Sequence, residues 1–335
     1  MEIGFFFWPY TPELTARMAE AADRWGYDMI GIADTPGNAM DPWVAATMVA
    51  REVREARIAL CVTNLSSRHP AVSAAAVSSL ELLAPDRLVL GLGAGHSGTR
   101  NLGLASSGLG ELDDGIRFVK TLTSGEPASL GGAEAHIPWA RGGVSVFLAA
   151  SGRRTLGLAG RIADGAFVNF GIAPDNLRYS ESLVAEGARE GGRAADGVET
   201  WQIASLDCNR DGDAARQRAG AILAFMAGGY ILAGDDLAER GVPAEYHEPV
   251  RELRRRYSTR PGEADARLVD ELGLFDYLAG RFAIYGTPEQ CLDQLRAARA
   301  AGLKRVMFTV SVASDPAGTV ELFGEHVLPA IRAGQ

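Results

Sequence analysis

With 335 residues, 47% of them apolar, the chain can bury a full core and is too apolar for wholesale disorder. Its formal net charge of −9 argues against a nucleic-acid binder, which needs a basic face. Cys61, Cys208 and Cys291 are odd in number and far apart, which speaks against a disulfide framework or a zinc site and fits a reducing compartment.

Strand-like and helix-like segments alternate from end to end. Residues 2–8 read as a buried strand, 12–25 as a helix with Leu14, Met18, Ala21 and Ala22 on one face, and 27–33 as the second strand. Asp41 stands as an N-cap before Pro42 at the first helical position. The third strand spans 57–63, a small-residue helix runs from His69-Pro70 to Leu83, and the fourth strand spans 87–93. A helix over 111–122 follows an irregular stretch.

The second half repeats the rhythm, with strands at 146–150, 166–170, 201–208 and 304–310. Their helices lie at 153–162, 174–190, 213–227 and 319–333. Eight βα units with nearly continuous apolar strands predict a (β/α)8 TIM barrel, with insertions after strands 4 and 7, in one domain over 1–335. Residues 98–110 and 126–141 read as loops, and 234–279 as a charged insert that serves as a lid, a dimer contact or surface decoration. Met1-Glu-Ile-Gly carries no leader pattern and no apolar run is long enough to span a membrane. The expectation is a cytoplasmic protein with neither nucleic acid nor membrane as partner.

Two strand ends carry the chemistry. Arg57-Ile-Ala-Leu-Cys-Val-Thr-Asn64 and Arg87-Leu-Val-Leu-Gly-Leu-Gly-Ala-Gly-His-Ser-Gly98 are apolar runs that stop at small or polar residues, leaving room for a planar ligand. Gly93-Ala-Gly-His-Ser-Gly98 matches GxGxxG, but Thr99-Arg-Asn-Leu-Gly is a poor opening for the helix a dinucleotide site needs. A small-residue loop over a cofactor ring, or a structural tight turn, fits better. Ala149-Ala-Ser-Gly-Arg-Arg154 offers N–H groups at a helix start and two arginines, either as an anion site or as a plain N-cap by Ser151. Asp34 closes the second strand at the active-site rim, orienting a ligand or capping a turn. His96 can donate to a cofactor or move a proton, whereas His69 reads as structural. The five histidines show no metal-ligand spacing, so no metal is expected. The arginines of 251–260 read as a solvated helix face or as a contact for an anionic tail.

Taken in order, Asp41-Pro-Trp-Val, Val62-Thr-Asn-Leu-Ser-Ser-Arg-His-Pro70, the glycine run 87–98 and Arg100-Asn-Leu-Gly103 resemble the bacterial luciferase-like family. So do Leu158-Ala-Gly-Arg-Ile-Ala-Asp-Gly165 and Gly286-Thr-Pro-Glu289. The likeness is greatest to the branch that uses the deazaflavin coenzyme F420, typified by methylenetetrahydromethanopterin reductases. The resemblance implies a cofactor at the C-terminal ends of the barrel strands and a non-prolyl cis peptide at Cys61-Val62 behind a bent ring. It also implies a phosphate site at Ser151, Gly152 and Arg153. Asp34, Cys61, Val62, Thr63, Asn64, Gly93, Gly95, His96 and Ser97 would line the ring, with Asp34 and His96 as the catalytic groups and His96 as the expected proton donor.

There are departures. Phe6 stands where those reductases carry Glu, Asp34-Thr35 where many relatives have Asp-His, and Gly93-Ala-Gly-His-Ser97 where the branch often reads Gly-Arg-Gly-Asp-Ser. A pterin substrate is therefore not assumed. Phe5, Phe6, Phe7 and Trp8 suggest a small apolar or aromatic substrate, although strand packing accounts for them equally. The expected activity is F420-dependent hydride transfer between the deazaflavin and a small organic substrate, in the direction of reduction, by a homodimer. The alternatives are a reduced-FMN monooxygenase and a non-catalytic flavin-binding barrel.

Overall fold

A computed structural model describes residues 1–229, 231–232, 236–257, 263–310, 313 and 315–334. Gly234, the expected start of the insert, and Arg260 lie outside the described residues. The first half is β1 (Glu2–Phe7), α1 (Pro12–Trp25), β2 (Met29–Ile32), α2 (Pro42–Glu52), β3 (Arg57–Asn64), α3 (Pro70–Glu81) and β4 (Leu88–Gly93). Then come α4 (Ser97–Arg100), α5 (Leu109–Thr123), a hairpin of β5 (Ala128–Leu130) and β6 (Ala133–Ala135), β7 (Ser145–Ala150), α6 (Arg153–Ile162), β8 (Gly165–Val168) and α7 (Pro174–Glu190). The chain continues with β9 (Glu199–Cys208), α8 (Gly212–Gly229), α9 (His247–Arg256), α10 (Glu263–Glu271), α11 (Phe275–Phe282), β10 (Ala283–Gly286), α12 (Pro288–Ala300), β11 (Arg305–Thr309), α13 (Pro316–His326) and α14 (Leu328–Ala333).

The parallel strands run in the order β9-β11-β1-β2-β3-β4-β7-β8, and β8 pairs back onto β9 to close the (β/α)8 barrel. Alternate strand residues explain the continuous apolar runs. Ala59, Cys61, Phe147, Phe167, Trp201, Ile203 and Met307 fill the interior, while Ile58, Leu60, Leu148 and Leu206 pack outward under the helices. Gly165 is required where Phe147 fills the barrel, because a Cβ there would lie 2.4 Å from the ring. At the N-terminal end Glu199 Oε1 takes hydrogen bonds from Arg57 (2.7 Å) and Trp201 (2.5 Å), sealing that mouth. The other mouth is the open one.

The starts of α1, α2, α3, α12 and α13 share one device, a capping side chain followed by proline. Asp41 accepts from Trp43 N and Val44 N ahead of Pro42, and Thr287 accepts from Gln290 N ahead of Pro288. His69 does the same for α3, its ring accepting from Ala71 N, as its structural reading expects.

Several expectations need correction. The loop over 126–141 contains the β5–β6 hairpin, turned at Gly131 and Gly132, both with positive φ. The loop over 98–110 opens with one turn of helix, α4; four residues align too few peptide dipoles to hold a pyrophosphate. The helix over 319–333 is two helices, broken at Val327 ahead of Pro329, which has no N–H to give. β10 and α12 are additional: β10 pairs with the upper part of β9, at Ser205 to Cys208, while β11 pairs with its lower part. The insert folds onto α8 around its own apolar cluster, which includes Leu237, Val250, Leu253, Val269 and Leu278. Its arginines form a solvated face: Arg255 and Arg256 pair with Glu252, and Arg256 with Glu271.

Candidate active site

The open mouth holds a cavity of about 390 Å³ built from strand ends. β1 contributes Phe6 and then Trp8, β2 leads into Asp34 and Thr35, and β3 supplies Cys61, Val62, Thr63 and Asn64. The turn after β4 brings Gly95, His96 and Ser97 beside Gly93, and the end of β7 leads into Ser151. Ten of the twelve residues expected at a cofactor line this one cavity; Gly152 and Arg153 stand just beyond it. The Cys61-Val62 peptide is cis, and the β3–β4 register shifts between Leu60 and Thr63 at that point.

Side-chain bonds tie the strand ends together. Thr63 Oγ1 donates to Asp34 Oδ2 at 2.6 Å. Trp8 Nε1 donates to Thr35 Oγ1 at 2.8 Å, and Thr35 Oγ1 lies 3.3 Å from Ser97 Oγ. Asn64 Oδ1 accepts from Ser66 N and Ser67 N, which turns the chain away from the mouth. Asn101 Nδ2 donates to Pro36 O and Asn38 Oδ1 at 3.1 Å, fastening the glycine turn over β2. Gly98 is needed for that closure: a Cβ there would lie 2.9 Å from Asp34 O.

Burial raises the Asp34 carboxyl above the usual aspartate range, and the Thr63 bond pulls it partly back. Burial, helped by Arg100, lowers the His96 imidazole, so its neutral form prevails around neutral pH. Burial pushes the Cys61 thiol well above its ordinary value, leaving it a small apolar filler.

The residues fit a flat ring with an anionic tail. Gly93, Ala94, Gly95, Ala149 and Ala150 leave one wall free of bulky side chains. At the tail end Gly152, rather than Ser151, is the N-cap of α6, and the movable end of the Arg240 side chain packs against it, Nη1 lying 2.9 Å from where a Cβ would stand. The Arg153 side chain leans away, toward Tyr179 and Glu186 on α7. Arg240 occupies the space beside Gly152 instead, and nothing in the sequence flagged it. The cavity also takes Ile203 from β9, Thr309 from β11, and Ile222, Phe225 and Met226 from α8. Those α8 positions look in sequence like any helix core face. No lysine or arginine is among the described residues lining the cavity. Among the described residues no group of three His, Cys, Asp or Glu side chains could hold a metal ion, and no helix is long and apolar enough to cross a membrane.

Curated proteins resemble the chain over nearly its full length, and two of them illustrate the likeness. The 5,10-methylenetetrahydromethanopterin reductase of Archaeoglobus fulgidus is 25% identical over 348 residues, covering 99% of this chain and 100% of the relative. The F420-dependent glucose-6-phosphate dehydrogenase of Nakamurella multipartita is 27% identical over 347 residues, covering 97% and 94%. Among solved structures, the coenzyme F420-dependent tetrahydromethanopterin reductase of Methanopyrus kandleri superimposes with a TM-score of 0.77 at 23% identity, covering 98% and 99%, a likeness of fold. Residues 9–305 match the family described as luciferase-like monooxygenase. The chain belongs to the luciferase-like family.

Proposed function

We propose that the protein is an F420-dependent oxidoreductase acting on a small apolar organic substrate in the direction of reduction. The observation that carries this reading is the convergence of Asp34, Cys61–Asn64, Gly93–Ser97 and Ser151 on one cavity at the C-terminal mouth. Support comes from relatives whose names specify F420 or a pterin reductase, aligned over nearly the whole chain.

When bound, the deazaflavin supplies a ring carbon that gives or takes two electrons as hydride. The chain's residues supply the rest. The β3 end and the small wall hold the ring, and the Ser151–Gly152 turn receives its tail. Phe6, Trp8, Ile203, Phe225 and Met226 exclude water and favour an apolar substrate. Asp34, whose carboxyl burial raises, is placed to give the product its proton and, as the carboxylate left behind, to take it back in the reverse direction; His96, lowered by burial, is the second group at the ring able to move a proton. The reading includes a cytoplasmic homodimer, whose assembly light scattering tests.

Titrating the full chain with F420 and with FMN, followed by ring fluorescence, tests the cofactor assignment. Tight F420 binding and weak FMN binding are expected; FMN binding alone would reject it. The family description favours a second reading, a reduced-FMN monooxygenase. Oxygen uptake coupled to product formation distinguishes it.

A further inference from the structure

We propose that Arg240, carried by the insert, reads the anionic tail of the cofactor by binding a phosphate oxygen at the Ser151–Gly152 turn. This rests on the cofactor reading above and gives the insert a part in it.

The placement of Arg240 is fixed by its surroundings. It ends a tight turn in which Arg240 N bonds Leu237 O, Gly241 N bonds Ala238 O and Val242 N bonds Leu237 O. Leu237 is buried in the insert's apolar cluster. The buried Arg281 donates to the carbonyls of Arg240, Gly241 and Phe170, which rivets the turn to the end of β8. From there the Arg240 guanidinium lies across Gly152, with Nη1 2.6 Å from Ser151 O.

That carbonyl accepts one of five N–H donors. Among the described residues no carboxylate forms an ion pair with Arg240; Glu239, its chain neighbour, is the charge that acts on it, and burial weakens its hold on its proton. The first turn of α6 is basic too, with Arg153 and Arg154 and no acidic residue. A positive side chain is disfavoured at the positive end of a helix unless an anion joins them. Ser151 and Thr155 connect this corner to the cavity. A pre-positioned fork, a glycine that admits close approach and a continuous path to the ring site together describe a receptor for an anion attached to the ring.

The test titrates the full chain with F420 and with the same deazaflavin carrying its ribityl chain but no phosphate, following ring fluorescence. The parent should prefer F420. Arg240→Gln should lose about tenfold or more in F420 affinity while binding the tail-less ring within about twofold of the parent. Arg240→Lys, which keeps charge without the fork, should recover part of the preference, most clearly at low salt. An Arg240→Gln protein that keeps the parent's preference overturns the proposal. Equal loss of both ligands overturns it as well, since Arg240 would then serve only to hold the mouth in shape. A parent that binds both equally contradicts the tail contact alone, and one that binds neither overturns the cofactor reading with it.

Discussion

Thr63 Oγ1 donates to Asp34 Oδ2 at 2.6 Å, joining the end of β3 to the second residue beyond β2 at the edge of the cavity. This bond opposes the upward shift that burial imposes on Asp34. In the proposed role of proton donor Asp34 must be protonated, so reductive turnover should fall as pH rises through its raised folded pKa. Thr63→Val removes the restraining bond and should move that falling limb to higher pH in a profile of kcat/KM. Asp34→Asn should abolish the limb and lower kcat by about 10²–10⁴.

The same shift has a stability counterpart. A carboxyl with a raised folded pKa favours the folded state below its ordinary value, and this contribution is lost as pH rises through the folded value. Asp34→Asn should therefore gain stability relative to the parent on going from about pH 4 to about pH 7. Urea midpoints at the two pH values read the change.

His96 has the opposite sign. Its lowered folded pKa contributes stability above the ordinary histidine value of about 6.5, and that contribution is lost as pH falls toward the folded value. His96→Gln should reduce the parent's loss of stability on acidification. Arg100→Gln should raise the imidazole pKa, which proton-detected titration of the ring measures directly.

Arg281 is 1% exposed and donates to Phe170 O, Gly241 O and Tyr277 Oη. Arg281→Met leaves those carbonyls buried without their donor and should cost about 3–5 kcal/mol in urea unfolding. Tyr277→Phe removes one bond and should cost about 1 kcal/mol.

Gly93 keeps the cavity wall thin beside Val62 and Ala149. A Cβ there would lie 3.0 Å from Val62 Cγ2 and 3.5 Å from Ala149 Cβ. Gly93→Val fills that space and should weaken F420 binding about tenfold or more in a fluorescence titration. Overpacking should lower stability by about 1–3 kcal/mol.

The barrel was legible because its strands are apolar on both faces, β3, β4 and β11 stop at Asn64, Gly93 and Thr309, and α1, α2, α3, α12 and α13 open on a cap and a proline. β10 escaped because Ala283-Ile-Tyr-Gly follows α11 directly, with no break in the apolar pattern. The β5–β6 hairpin had a Gly131-Gly132 turn to announce it, but its strands are short and expose alanine and glutamate rather than β-branched residues. Cavity residues at strand ends could be read because chain order puts them on one rim. Ile222, Phe225 and Met226 could not, since helical spacing alone does not distinguish a core face from a cavity wall. Arg240 reaches its place only through the fold of the insert, which no local pattern encodes.

A crystal structure of the full chain with F420 tests the central claim most directly. The account predicts the ring against Cys61 and Val62, its tail phosphate at Ser151 and Gly152, and the substrate space bounded by Trp8 and Met226. A ring seated elsewhere, or a mouth without ring density at saturating F420, would contradict it.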